Sequence, residues 1–153
     1  ARLYPDIRLY GLDISTEMLA SARKTLACLG RTEPVLQLGD AACFKAADFG
    51  VGGFDRIIIS YALSMIPEWE KTIEAAVDAL RPGGSLHIAD FGQQKGLPSW
   101  FRAALHAWLR RFHVTPRADL ESAILRATAG KGCSVDLRSH RADYAWIATI
   151  RRM

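Results

Sequence analysis

Four places in the sequence combine an apolar run with a polar residue able to grip a ligand: Asp13, Asp40, Ser60-Tyr61 and Asp90. Asp13 closes Leu9-Tyr10-Gly11-Leu12 just before a helical pattern begins. A carboxylate so placed accepts hydrogen bonds from both hydroxyls of an adenosine ribose. Asp13 alone does not separate a nicotinamide cofactor from S-adenosylmethionine. Asp40, in Leu36-Gln37-Leu38-Gly39-Asp40-Ala41, narrows the choice. A carboxylate there takes the exocyclic amine of adenine, and the Ala41 N–H meets a ring nitrogen. Asp40 is equally suited to capping the next turn, and the two roles are compatible. Helix caps explain one or two polar residues at the ends of apolar runs; four in series favour a ligand site.

The elements that position these residues follow from hydrophobic period. Residues 7–12 read as a short buried strand and 15–29 as a helix. Ser15 or Thr16 caps that helix, Glu17 is favourably placed in its first turn, and Gly30 stops it. A strand is expected at 34–38, with a loop or short helix at 40–44. Phe54 to Ser60 is apolar and rich in β-branched residues, the pattern of a fully buried parallel strand. A helix follows from Pro67 to about Leu80, then a break at Arg81-Pro82-Gly83-Gly84 and another buried strand over 85–90. Helices are expected at 97–112 and 117–129, and an antiparallel hairpin from 135–140 and 144–150. Alternating strands and helices define an α/β, doubly wound sheet, which binds ligands beyond the carboxyl ends of its strands.

With 153 residues, half of them apolar and a quarter charged, the chain reads as one globular domain. No run approaches the roughly 20 apolar residues of a membrane-spanning helix, and there is no secretory signal pattern. Three separated cysteines, Cys28, Cys43 and Cys133, suit buried free thiols in a reducing cytoplasm and no metal site. The net charge of +4 is mild, with basic residues gathered after Lys95 and at Arg151 and Arg152. That is ordinarily a solvated surface; an anionic partner is the sharper alternative. Nothing resembles a base-reading nucleic-acid module.

Taken in order, these segments resemble class I S-adenosylmethionine-dependent methyltransferases. Leu12-Asp13-Ile14-Ser15-Thr16-Glu17-Met18-Leu19 resembles the segment after that family's second strand, and Leu38-Gly39-Asp40-Ala41 its adenine motif. Phe54-Asp55 and Leu80-Arg81-Pro82-Gly83-Gly84 are similar to later motifs. The resemblance implies a Rossmann-like methyltransferase sheet ending in a C-terminal antiparallel hairpin. It implies Asp13 on the ribose, Ile14 and Met18 along the adenine, Asp40 and Ala41 at its edge, and Ser60 on the cofactor side. A methionine on a helix is more often core, which is the competing role for Met18. It also implies a first strand and glycine-rich loop that the chain, opening on Ala1, does not contain. The expectation is therefore an N-terminally truncated, partial domain over residues 1–153, with exposed strand edges and weak cofactor affinity of its own.

Methyl transfer needs an unprotonated, in-line acceptor and little covalent help, so positioning dominates. Candidates are Ser60, Tyr61 and Ser64 after one strand, and Asp90 and Gln93 after the next. Tyr61 can line a cationic methylated amine or be an ordinary buried tyrosine. His87 reads as packed in mid-strand, whereas His113 can accept a proton. Leu97, Phe101, Leu105, Trp108 and Phe112 form a helical stripe flanked by Trp100, Arg102, Arg110 and Arg111. Such a helix suits a membrane interface; packing over the sheet or covering the substrate is the alternative.

Residues 60–67 with 89–94 resemble bacterial lipid N-methyltransferases of the phosphatidylethanolamine and diacylglyceryl homoserine types. This implies a lipid amine as acceptor and a cytoplasmic enzyme at the inner membrane face. A soluble small-molecule methyltransferase and an inactive fragment or partner subunit are the alternatives. A nicotinamide dehydrogenase would leave Asp40 and the terminal hairpin without a role.

Overall fold

A computed structural model describes residues 7–30, 33–92, 111, 117, 119–140 and 145–153. Strand β1 (Tyr10–Asp13) leads through helix α1 (Thr16–Cys28) into β2 (Val35–Leu38), and the two strands pair in parallel. Ser15 caps α1, its Oγ accepting the Met18 N–H at 3.2 Å, and Gly30 ends it with φ 74°. These are the residues whose chemistry favours those positions. A short 3₁₀ turn, Ala46–Phe49, then precedes β3 (Phe54–Ser60).

Helix α2 (Trp69–Asp78) returns the chain to β4 (Leu80–Phe91), which lies parallel to β3. Helix α3 (Leu120–Thr128) precedes the hairpin of β5 (Cys133–His140) and β6 (Ala145–Arg152). The strand order is β3-β4-β6-β5, beside the separate pair β1-β2. Among the described residues, the outer edge of β3 and the free edge of β1 have no strand partner. An edge-to-face cluster joins the two pieces: the Tyr10 ring lies 5.3 Å from Phe54 and 5.9 Å from Phe49.

The core lies between one face of the larger sheet and helices α2 and α3. It is built from Leu86 and Ile88 of β4, Ala148 and Ile150 of β6, Ile73 and Val77 of α2, and Leu120 and Ile124 of α3. Three expectations are corrected. First, β3 is parallel but not fully buried. Ile57 and Ile59 pack on the core, whereas Ile58, on the opposite face, is 75% exposed. Residue period assigns side chains to faces, and here only one face has described helices against it.

Second, Arg81–Gly84 does not interrupt the strand. The register steps from Phe54↔Leu80 to Arg56↔Ser85, so this stretch bulges while β4 continues. Gly83 has φ 79°, and a Cβ at Gly84 would sit 2.8 Å from the Phe54 carbonyl oxygen. Glycine is therefore what keeps the bulge closed against β3. Third, the cysteines are free but not buried: Cys28 and Cys43 are exposed and Cys133 is intermediate. The expected helix at 97–112 lies outside the described residues.

Candidate functional site

Within each parallel pair the polar strand ends fall side by side. Asp13 ends β1, directly opposite Leu38 at the end of β2, and Asp40 lies two residues further on. One Asp13 oxygen accepts the Ser15 N–H at 2.9 Å, holding the carboxylate at the mouth of α1. No protein cation pairs with it among the described residues. Asp40 is exposed, and its Oδ1 accepts the Ala42 N–H at 2.8 Å, making the turn that sequence reasoning allowed. No protein acceptor takes the Ala41 N–H among the described residues.

Ile14 is 78% exposed and Met18 57% exposed, so Met18 is a surface residue of α1 and not a core one. A cavity of about 150 Å³ opens beside this turn, lined by Leu12, Leu38, Gly39, Asp40, Phe44 and Phe49. Two carboxylates with spare acceptor capacity, a spare N–H and apolar side chains left in water suit an adenosine: hydroxyls, ring edge and ring face respectively.

The second half of the site follows β3 and β4. Tyr61 has φ 51°, the one positive φ outside glycine among the described residues, and its N–H donates to the Ala89 carbonyl at 2.7 Å. Its ring lies 4.9 Å from that of Phe91, tilted by 59°. Beyond it, the turn through Leu63–Ile66 is gripped from two sides. Asp90 is 2% exposed, with Oδ2 accepting the Ser64 N–H at 3.1 Å and Oδ1 accepting the Phe91 N–H at 2.7 Å. Arg117 donates to the carbonyls of Leu63 at 3.1 Å and Ile66 at 2.7 Å, and sits 5.5 Å from the Trp69 ring centroid. Burial lowers the Arg117 pKa, an effect opposed by the Asp90 charge.

Of the residues proposed from sequence, the structure gathers Asp13, Ile14, Met18, Asp40 and Ala41 around one strand pair and Ser60, Tyr61 and Asp90 around the other. The Asp90 carboxylate faces inward onto backbone amides, a positioning arrangement. His87 is packed as expected, its ring nitrogens 2.9 Å from Ser85 Oγ and 3.3 Å from Thr149 Oγ1. His113, Gln93, Trp100, Phe101, Trp108 and Arg110 lie outside the described residues, and Arg111 is exposed. Arg152 does not form a free basic surface, since it donates to the Asp78 and Leu80 carbonyls.

Sequence reasoning missed Arg117 and the ring partner Phe91. An aromatic residue directly after the strand-end Asp90 was the available signal for Phe91. None marked Arg117, whose acceptors are 54 and 51 positions away.

An α/β sheet with a carboxylate after each of its first two strands and a reversed terminal hairpin defines a Rossmann-like, nucleotide-cofactor fold. The chain belongs to the methyltransferase domain family, which it matches over residues 1–137. S-adenosylmethionine is the cofactor that this family and fold imply.

The chain is 32% identical over 124 residues to a phosphatidylethanolamine N-methyltransferase of Cereibacter sphaeroides, covering 80% of this chain and 58% of that protein. It is 28% identical over 94 residues to an arsenite methyltransferase of Halobacterium salinarum, covering 61% of this chain and 23% of that protein. It thus spans little more than half of the first relative and under a quarter of the second. Among solved structures, an S-adenosylmethionine-dependent methyltransferase from Mesorhizobium loti superposes with a TM-score of 0.68. The match covers 95% of this chain and 80% of that one at 17% identity, a likeness of fold.

Proposed function

We propose that the protein transfers a methyl group from S-adenosylmethionine to the amine of a membrane-lipid head group, working at the cytoplasmic membrane face. The match to a phosphatidylethanolamine N-methyltransferase over four-fifths of the chain carries this reading. Bound S-adenosylmethionine supplies an electrophilic methyl group on a sulfonium. The chain's own residues do the holding. Asp13 accepts from the ribose hydroxyls, Ile14 and Met18 cover the adenine face, Asp40 and Ala41 read its edge, and Ser60 flanks the cofactor. Tyr61 borders the acceptor, and Asp90 fixes the turn behind it. His113 takes the acceptor's proton, while Trp100, Phe101, Trp108, Arg110 and Arg111 contact lipid. No helix among the described residues is long and apolar enough to cross a membrane, so the membrane contact proposed is peripheral.

The test uses the full-length protein, titrated calorimetrically with S-adenosylhomocysteine beside Asp13→Ala. Losing the hydrogen bonds to a charged acceptor is expected to weaken binding by about 10²-fold or more. Methyl transfer is then measured to phosphatidylethanolamine vesicles and to soluble ethanolamine. Transfer to vesicles, with sedimentation on anionic liposomes, supports the lipid reading. Transfer to the soluble amine alone replaces it with the small-molecule one. Absence of S-adenosylhomocysteine binding in the wild type removes the methyltransferase reading and favours a partner subunit.

A further inference from the structure

Tyr61 holds a left-handed backbone that a bulky side chain disfavours, and it gains no turn that glycine or asparagine would not make better. What the conformation secures is the ring. With the Tyr61 N–H tied to Ala89, the side chain meets Phe91 at 59°, so two aromatic planes form a corner at the ends of β3 and β4. Tyr61 remains 40% exposed there, while Phe91 is half-buried.

We propose that this corner is a subsite for an alkylammonium group, binding the acceptor nitrogen as it becomes charged. The inference rests on the N-methyltransferase reading above. In the transfer, the neutral amine's lone pair forms a bond to the methyl carbon as the carbon–sulfur bond breaks and its electron pair stays on sulfur. Positive charge thus passes from sulfur to nitrogen, and any remaining N–H proton leaves, through His113 in the reading above and then to water, before another round. Ring faces attract a cation and are nearly indifferent to the neutral amine, so the corner favours the transition state over the bound substrate. It also suits repeated methylation. Each transfer removes an N–H donor, and a trimethylammonium has none, so hydrogen-bond acceptors lose their grip as the aromatic faces keep theirs.

The experiment takes the full-length protein loaded with S-adenosylhomocysteine and titrates phosphocholine against its carbon isostere, 3,3-dimethylbutyl phosphate, in which a neutral tert-butyl group replaces the trimethylammonium. Wild type, Tyr61→Phe and Tyr61→Leu are compared. None of the three side chains relieves the backbone strain, so the comparison reads the ring. Wild type and Tyr61→Phe are expected to prefer the ammonium by about 2- to 30-fold, the range of a cation on an aromatic face.

Tyr61→Leu is expected to lose that preference with its S-adenosylhomocysteine affinity unchanged, which also reports that it folds. Equal affinity for the two probes in the wild type overturns the inference without any variant. So does a preference that survives in Tyr61→Leu. A changed ratio of S-adenosylmethionine to S-adenosylhomocysteine affinity in Tyr61→Leu assigns the ring to the sulfonium and overturns it too. If the wild type binds no S-adenosylhomocysteine, the underlying methyltransferase reading fails instead.

Discussion

Asp90→Asn separates a carboxylate that holds the fold from one that performs chemistry. Asparagine keeps the volume but turns one of the two acceptor oxygens into a donor. Asp90 is 2% exposed and satisfies two backbone N–H groups, those of Ser64 and Phe91. Whichever way the new amide sits, one of those N–H groups faces another donor. Losing a charged acceptor costs about 1.5–3 kcal/mol, and removing the charge beside Arg117 adds to that. A loss of about 2–4 kcal/mol is expected, lowering the melting temperature by roughly 5–15 °C for a domain of this size.

Asp90→Ala strands both amides and should cost more, about 3–5 kcal/mol. Urea denaturation and thermal melting measure the effect, and a double-mutant cycle with Arg117→Met measures the coupling across the turn. Methyl-transfer kinetics on the folded variant complete the test. If Asp90→Asn melts with the wild type but loses kcat by the 10²–10⁴-fold typical of an acid–base group, the positioning argument is wrong.

Arg117→Met removes both donors from the Leu63–Ile66 turn and should raise the acceptor KM by roughly 10-fold while sparing cofactor affinity. Arg117→Lys should fall between, since one ammonium reproduces a guanidinium fork poorly; an equal loss of cofactor binding would mean general unfolding. Ser15→Ala should cost about 1 kcal/mol at neutral pH in urea denaturation, through the lost cap on Met18 N–H. The Ser15 hydroxyl, foremost, and the Glu17 backbone N–H hold the Glu17 carboxyl below its ordinary 4.5. A depressed folded-state pKa stabilises above the ordinary value and is lost as pH falls through the folded one. The gap between Ser15→Ala and wild type should therefore narrow on acidification, and a gap that widens would contradict the assignment.

Much of this architecture is local, and the local parts were readable. Phe54–Ser60 carries three consecutive β-branched isoleucines, and its strand has the expected ends; Ser15 and Gly30 bound α1 because each supplies what a helix end lacks. The strand-end placement of Asp13 and Asp40 was readable because each follows an apolar run. The misses share a different cause. Ile58 carries no mark saying whether its face will be covered, and a small apolar cysteine scores as core wherever it lies. The bulge at Arg81–Gly84 carries the residues of a turn, and only its register against β3 distinguishes the two. Arg117 acts across more than fifty positions, a distance at which no period or spacing operates.

The strand order also sets a timetable. β6 follows β5 in the chain, yet it lies between β4 and β5. During synthesis β4 can dock on β3 early, but one of its edges waits until Ala145–Arg152 has emerged. The hairpin then joins as a unit, since β5 reaches the sheet only through β6. Assembly of this half of the domain therefore waits on β6, and a nascent chain interrupted before β6 would display β4 with an open edge.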